Sequence, residues 1–342
     1  MSDQWIKRLG TKESGFRYAH ADGEAVREPR ELERIESLRI PPAWRDVHIA
    51  ARAGSTVQAW GFDSKGRKQY RYHERAVARR EMRKHHRVRR LARDLPTIRR
   101  RLRADSRRPG MPRERVAAGI VELISEVFIR PGSEKSVREN RTFGLTTLRK
   151  SHVTIEDGVA TLRYTGKGRV KQRQTVSNPS LVRFLKALRR SPGPRLFRYR
   201  GDDGAWCDIS ARDVNTYLRD LVGVPYTCKD FRTWGGTLRA AVVLSEIGAD
   251  GAGKSEVQRM RDALMAVRLV AAELGNTPAI CRQSYVHPIV LARYVEAGET
   301  IAPMLRRIPE KRPTLEHRPE ERALIRFLDR HFPERRRRKR AA

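Results

Sequence analysis

The chain has 342 residues, 39% of them hydrophobic, with 74 Lys+Arg against 40 Asp+Glu and a formal net charge of +34. A field of that sign favours a polyanion, most simply duplex nucleic acid, and a length above the ~250 residues at which single cores stop growing calls for two domains. The apolar residues fall in periodic segments, which excludes whole-chain disorder, and no 18-residue apolar run or signal-peptide core speaks for a membrane partner.

The three cysteines, Cys207, Cys228 and Cys281, are odd in number and lack metal-ligand spacing. They indicate neither a disulfide framework nor a zinc site and fit a reducing, intracellular setting.

From Trp5 to Tyr72 the pattern is strand-like. Phe16–Tyr18, Val47–Ile49, Thr56–Trp60 and Lys68–Tyr72 are separated by turn residues such as Asp22-Gly23 and Ser64-Lys65-Gly66. A helix at Glu31–Leu38 and a rigid Ile40–Trp44 connector complete a small antiparallel sheet domain. Its last strand interleaves basic and aromatic residues, so one face is expected to offer guanidinium groups and rings to a DNA groove through Lys68, Gln69, Tyr70, Arg71 and Tyr72. An edge strand protected by charge gives the same pattern. Arg71 to Arg115 then holds eighteen Lys/Arg against five acids, with Val88, Leu91, Leu95, Ile98 and Leu102 at helical spacing. This predicts a phosphate-facing helix, broken in two at Pro96. The adjacent His85 and His86 point different ways on a helix and make a poor metal pair. The domain boundary is placed near residue 80.

Val116, Ile120, Leu123, Ile124 and Val127 mark an apolar helix that delivers Arg130 before Pro131-Gly132-Ser133. A short Thr-capped helix is read in Arg141–Leu148. Strands at Val153–Ile155, Ala160–Tyr164 and Val170–Val176 form a three-stranded meander with Lys167 between two permissive glycines at a hairpin tip. An ordinary solvated turn lysine fits that position equally. The remainder reads as helices: Ser180–Arg190, Ser210–Leu221, Asp230–Ile247, Ser255–Gly275, Asn276–Ala297 with a break, and Glu320–His331. Arg232 falls in the first turns of one of them, where N–H groups favour an anion. Thr277-Pro278 restarts a helix that carries Tyr285. Alone, Tyr285 reads as a half-buried packing residue. Glu334–Ala342, with Arg335–Arg340, reads as a disordered basic tail.

Gly248–Ser255 matches the G-x-x-x-x-G-K-[ST] phosphate loop letter for letter. That motif needs a buried strand before it, whereas Thr237–Ile247 continues a helical pattern, so the stretch is read as a loose interhelical loop.

Arg130, Lys167, Arg232, Asn276 and Tyr285 together suit phosphodiester attack by an oxygen nucleophile. Arginines match the charge on non-bridging oxygens, a lysine supplies a proton to a leaving alkoxide, and a phenol in positive surroundings attacks. No metal ligands are needed and none are evident.

Arg130–Glu134, Glu139-Asn140, Phe143–Leu148, Thr165–Gly168, Lys229–Gly235 and Gly275–Pro278 with Tyr285 resemble type IB DNA topoisomerases of the compact poxvirus-like branch found in bacteria. Gly66–Tyr72 resembles the end of that family's amino-terminal domain, and the match covers nearly the whole chain in order. The resemblance implies an α+β chain: a β-rich DNA-binding domain over residues 1–79, a mainly helical catalytic domain over 80–331 and a tail over 332–342, closing as a C-shaped clamp on duplex DNA. It implies a monomer of the bacterial cytoplasm that contacts DNA through the Lys68–Tyr72 strand and Arg141, uses no cofactor or nucleotide and meets no membrane. Tyr285 would form a 3′-phosphotyrosyl link, Arg130 and Arg232 would stabilise the transition state, and Lys167 would protonate the 5′-oxygen. Asn276 stands where the family often has histidine; its amide donates a hydrogen bond but carries no charge. A tyrosine recombinase shares the chemistry, but Lys229 stands where recombinases commonly place histidine. A nonenzymatic basic DNA-binding protein would share the charge.

Overall fold

The computed structural model describes residues 5–248, 250–307 and 315–332. The basic tail from Glu334 onward lies outside the described residues. The chain divides into two compact units, Met1–Lys84 and His85–Ala342.

The first unit contains β1 (Trp5–Thr11), β2 (Gly15–Ala19), α1 (Pro29–Ser37), β3 (Arg45–Ala50), β4 (Val57–Phe62) and β5 (Lys68–Tyr72). The strands form one antiparallel sheet in the order β2-β1-β3-β4-β5. Because side chains alternate across a strand, one face buries Ile6, Val47, Ile49 and Ala59 with Ile35 of α1. On the other face Trp60 stacks on His48 (4.0 Å, 8°) and meets Trp5 and Phe62 edge-on.

The same alternation corrects the reading of β5. Lys68 sits 3.5 Å above the Trp60 ring, and Tyr70 and Tyr72 stack on one another, so a lysine and rings share the aromatic face. Arg71 and Gln69 lie on the opposite face, where Arg71 donates to Arg39 O at 2.7 Å and Gln69 to Asp63 at 3.0 Å. Within β5 the Arg71 guanidinium and the tyrosine rings therefore fall on opposite faces, and the guanidinium that covers the Tyr72 ring, at 4.5 Å from its centroid, is that of Arg80.

Helix α2 (Glu74–Ser106) begins in the first unit and ends in the second. It is not broken at Pro96, which lies inside it. A proline there removes the N–H that would bond to the carbonyl of residue 92. The freed Ala92 O instead accepts from His317 Nε2 at 2.7 Å, a donor 225 positions away that no local pattern reveals. Nor is the basic face of α2 given wholly to solvent and phosphate. Arg87 pairs with Asp230, Arg89 and Arg93 with Asp329, Arg100 with Glu316, and Arg99 makes a two-pronged pair with Glu321 at 2.6 and 2.9 Å.

The second unit continues with α3 (Arg113–Val127), α4 (Glu134–Asn140), β6 (Val153–Glu156), β7 (Val159–Thr165), β8 (Lys171–Val176), α5 (Pro179–Arg189), β9 (Arg198–Arg200), β10 (Trp206–Asp208) and α6 (Ala211–Val222). It ends with α7 (Cys228–Ile247), α8 (Glu256–Leu274), α9 (Pro278–Ser284), α10 (Pro288–Ala297), α11 (Ala302–Leu305) and α12 (Pro319–His331). Strands β6-β7-β8 form an antiparallel sheet and β9-β10 a hairpin. Helix α3, buried through Val116, Ile120, Leu123, Ile124 and Val127, packs against α5, α6, α7 and β8. The short Thr-capped helix expected over Arg141–Leu148 is only a 3-10 turn at Leu145–Thr147; the helix α4 lies before it and is capped by Ser133.

The phosphate-loop look-alike follows helix α7, not a strand, and it is packed, not loose. A Cβ on Gly251 would meet Gly298 O and the Tyr294 ring at 2.9 Å. Lys254 Nζ donates to Ile247 O (2.9 Å) and Asp262 (2.8 Å).

The Pro96 repair is testable by urea unfolding. His317→Ala should destabilise by about 1–3 kcal/mol, the usual penalty for an unsatisfied buried carbonyl. In a Pro96→Ala background the restored N–H serves Ala92 O, and the same change should cost clearly less. Equal losses in both backgrounds would show that His317 does not serve that carbonyl.

Candidate active site

The site is organised by the carboxyl end of α8. A helix ends with carbonyls that have no intrahelical partner and carry its negative dipole end, so cations are stable there. Gly275 caps α8 in the left-handed region (φ 60°), which turns Leu274 O and Gly275 O outward. Arg232 Nη2 donates to Leu274 O and Arg130 Nη1 to Gly275 O, each at 3.2 Å, and Arg130 Nη2 donates to Asn276 Oδ1.

Each arginine arrives by a constrained route. Helix α3 stops at Phe128, itself in the left-handed region (φ 52°), and the chain emerges at Arg130. The Phe128 ring lies so close to α7 that a Cβ on Gly235 would be 1.9 Å from it, so only glycine admits the approach. Leu145 N–H to Arg130 O and Thr146 N–H to Pro131 O, both 2.8 Å, lock the following segment. Gly132 (φ 89°) passes close against Gly144. Arg232 stands in the second turn of α7, only 2% exposed.

Tyr285 does not lie within a helix, as the sequence suggested, but caps α9 at the corner with α10. Its N–H bonds to Cys281 O at 2.9 Å. The Thr237 hydroxyl donates to Thr233 O (2.8 Å), lies 3.3 Å from Tyr285 O and accepts the His287 N–H (3.0 Å), joining the corner to α7. A Cβ on Gly236 would meet Tyr285 O at 2.8 Å. The phenol ring, 9% exposed, faces Arg232, whose guanidinium carbon is 4.9 Å from the ring centroid. Burial alone would raise the phenol pKa. Charge and a hydrogen bond from Arg232, with Arg130 and Lys229 adding, outweigh it and hold the pKa below the ordinary value. Burial in turn lowers the pKa of Arg232, opposed by Tyr285.

Two enclosed donors at this point, Asn276 Nδ2 and Arg232 Nε, have no hydrogen-bond partner among the described residues. Buried donors are ordinarily satisfied, so a pair left open beside two guanidiniums and a phenol suits a tetrahedral oxyanion. Among the described residues no group of three or more His, Cys, Asp or Glu is placed to hold a metal ion.

The structure thus brings together Arg130, Arg232, Asn276 and Tyr285. Lys167 is different: it is exposed at the β7–β8 turn and makes no hydrogen bond or ion pair with described residues. Its hairpin is nonetheless tied to the site. Gly166 N–H bonds to Val170 O (2.8 Å), Phe143 N–H bonds to Thr165 O (2.8 Å), and the Gln172 amide lies against Gly275. Arg141 is exposed and in the left-handed region (φ 52°) after α4. Gln172, Thr237 and Gly236 also build the site. Their only sequence signal is polarity or smallness inside an apolar pattern.

Two family descriptions match the chain: "Eukaryotic DNA topoisomerase I, catalytic core" over residues 64–310 and "Bacterial DNA topoisomerase IB, N-terminal domain" over residues 15–63. The DNA topoisomerase 1B of Acanthamoeba polyphaga mimivirus is 32% identical over 283 residues, 82% of this chain and 84% of that protein. The DNA topoisomerase 1B of Vaccinia virus (strain Copenhagen) is 24% identical over 263 residues, 75% of this chain and 80% of that protein. With the core description covering most of the chain and a relative above 30% identity along most of its length, this protein belongs to the type IB DNA topoisomerases.

Proposed function

We propose that the chain relaxes supercoiled duplex DNA by cutting and resealing one strand at a time through Tyr285. The carrying observation is the convergence of Arg130, Arg232 and Asn276, with open donors, on a phenol whose pKa is held down. The Tyr285 phenol gives up its proton to water, its oxygen attacks the scissile phosphorus, the bond from phosphorus to the 5′-oxygen breaks, and a 3′-phosphotyrosyl link forms. Arg130 and Arg232 take the charge on the non-bridging oxygens, and Asn276 Nδ2 donates to one of them. Lys167, exposed at the hairpin turn, gives its proton to the leaving 5′-oxygen and takes it back on resealing. The aromatic face with Lys68, Tyr70 and Tyr72, together with Arg141, grips the duplex. Gln69 and Arg71 brace that strand from its other side. The protein acts as a monomer on the nucleoid DNA of a bacterial cytoplasm.

The link conserves the energy of the broken bond, so relaxation of supercoiled plasmid should proceed in chelator without nucleotide. Lys254→Ala, which removes a lysine committed to Ile247 O and Asp262, should relax plasmid as the unaltered chain does. A strict need for ATP or Mg²⁺ would overturn this reading. Relaxation without strand exchange also separates the proposal from recombination and from plain DNA binding.

Tyr285→Phe should bind DNA and form no covalent adduct. Tyr226 and Tyr294 are poor substitutes: their hydroxyls donate to Asp94 and Asp262, and burial raises both pKa values. Adduct retained in Tyr285→Phe would move the nucleophile elsewhere.

Lys167→Ala should slow cleavage by about 10²–10⁴-fold, the usual range for proton transfer. A substrate with sulfur in place of the bridging 5′-oxygen has a leaving group that departs unprotonated. It should restore cleavage to Lys167→Ala but not to Arg130→Ala or Arg232→Ala. A large defect without sulfur rescue would make Lys167 a positioning residue.

A further inference from the structure

Opposed residues in an antiparallel pair share a face of the sheet. Along β7 and β8 the pairs Ala160 with Val176, Leu162 with Gln174, and Tyr164 with Gln172 line one face. Two contacts identify what that face meets. Gln174 Nε2 donates to Glu273 O at 3.5 Å, and the Gln172 amide lies where a Cβ on Gly275 would be 2.2 Å from its oxygen. Tyr164 is the member of this face nearest the Lys167 turn, directly beside Gln172 in register. Its ring is therefore directed to the end of α8, where Arg130 and Arg232 are held.

The ring is 9% exposed, and its hydroxyl has no hydrogen-bond partner among the described residues. Arg232 and Arg130 both act on it electrostatically.

We propose that Tyr164 is a further catalytic residue, whose phenolic O–H donates a hydrogen bond to a non-bridging oxygen of the scissile phosphate. The proposal rests on Tyr285 being the nucleophile. No bond to Tyr164 forms or breaks and its proton stays in place; the hydrogen bond strengthens as charge builds on the oxygen. Two phenols then share one pair of guanidiniums with divided duties. Burial, outweighing both arginines, pushes Tyr164 up to about 12, which keeps it a donor, while Tyr285 is held below its ordinary value. A neutral donor is apt beside Asn276, which likewise contributes a hydrogen bond without charge.

The test is single-turnover adduct formation on a duplex with one defined cleavage site. The scissile group is either the natural phosphate or one of the two stereoisomeric methylphosphonates, each lacking one non-bridging oxygen. On phosphate, Tyr164→Phe should slow cleavage by about 10²-fold, as loss of an oxyanion donor does, with DNA affinity unchanged. On the isomer lacking the contacted oxygen, Tyr164→Phe should cleave as fast as the unaltered chain; on the other isomer its defect should persist. A Tyr164→Phe rate within about twofold of the unaltered chain on phosphate, or a defect equal on all three substrates, would overturn the proposal. Because each protein's rates are compared across substrates, the isomer pattern decides even if Tyr164→Phe is less stable. Failure of the underlying reading has its own sign, adduct formation by Tyr285→Phe.

Discussion

The site depends on two backbone carbonyls at the end of α8. Arg232 is almost wholly enclosed, and burying a guanidinium is costly unless its charge and N–H groups are met. Leu274 O and Gly275 O meet them for Arg232 and Arg130, using a helix terminus that must dispose of unpaired carbonyls in any case. The arrangement answers two needs at once. It also leaves each arginine with further donors, which under the proposed function would meet a phosphate oxyanion as a fork already aimed. Arginine suits this position because it does not lose its proton when buried, whereas lysine readily does.

A helix that ends in this way constrains its neighbours. Gly275 must adopt a left-handed conformation, and Gln172 presses on it from β8, so the Lys167 hairpin inherits its position from the same terminus. Glycines at 235 and 236 let α7 approach Phe128 on one side and the Tyr285 corner on the other. The candidate residues come from distant parts of the chain, yet the close approaches that place them are few.

Much of this was legible from the sequence. Helical periodicity gave α3 and the carboxyl-terminal helices, and alternation with turn residues gave β2 through β5. Motif resemblance, not periodicity, singled out Arg130, Arg232, Asn276 and Tyr285. What stayed hidden depends on partners far along the chain. Pro96 obeys a sound local rule, defeated by a histidine that only the fold supplies. The arginines of α2 read as a free basic face because Asp230, Asp329 and Glu321 cannot be seen as their partners from nearby positions. The β9-β10 hairpin, though it carries an Asp203-Gly204 turn, is too short at three residues per strand to stand out. Tyr164 looks like any core residue of an alternating strand, and its significance lies wholly in what the opposite strand touches.

The corner that carries Tyr285 has a mechanical side. If Tyr285 holds a cut strand as proposed, any torque on that strand passes from the phenol into its own backbone. Here the backbone on both sides of the joint is fastened to α7 by one hydroxyl: Thr237 lies against Tyr285 O and accepts from His287 N–H. Helix α7 is largely interior and also carries Arg232. Under the proposed function, tension on the linked strand would thus be led into a largely buried helix, the one that also carries Arg232. The joint and Arg232 are thereby tied to one helix, so under the proposed function the geometry needed for resealing would be kept while the 5′ end is free.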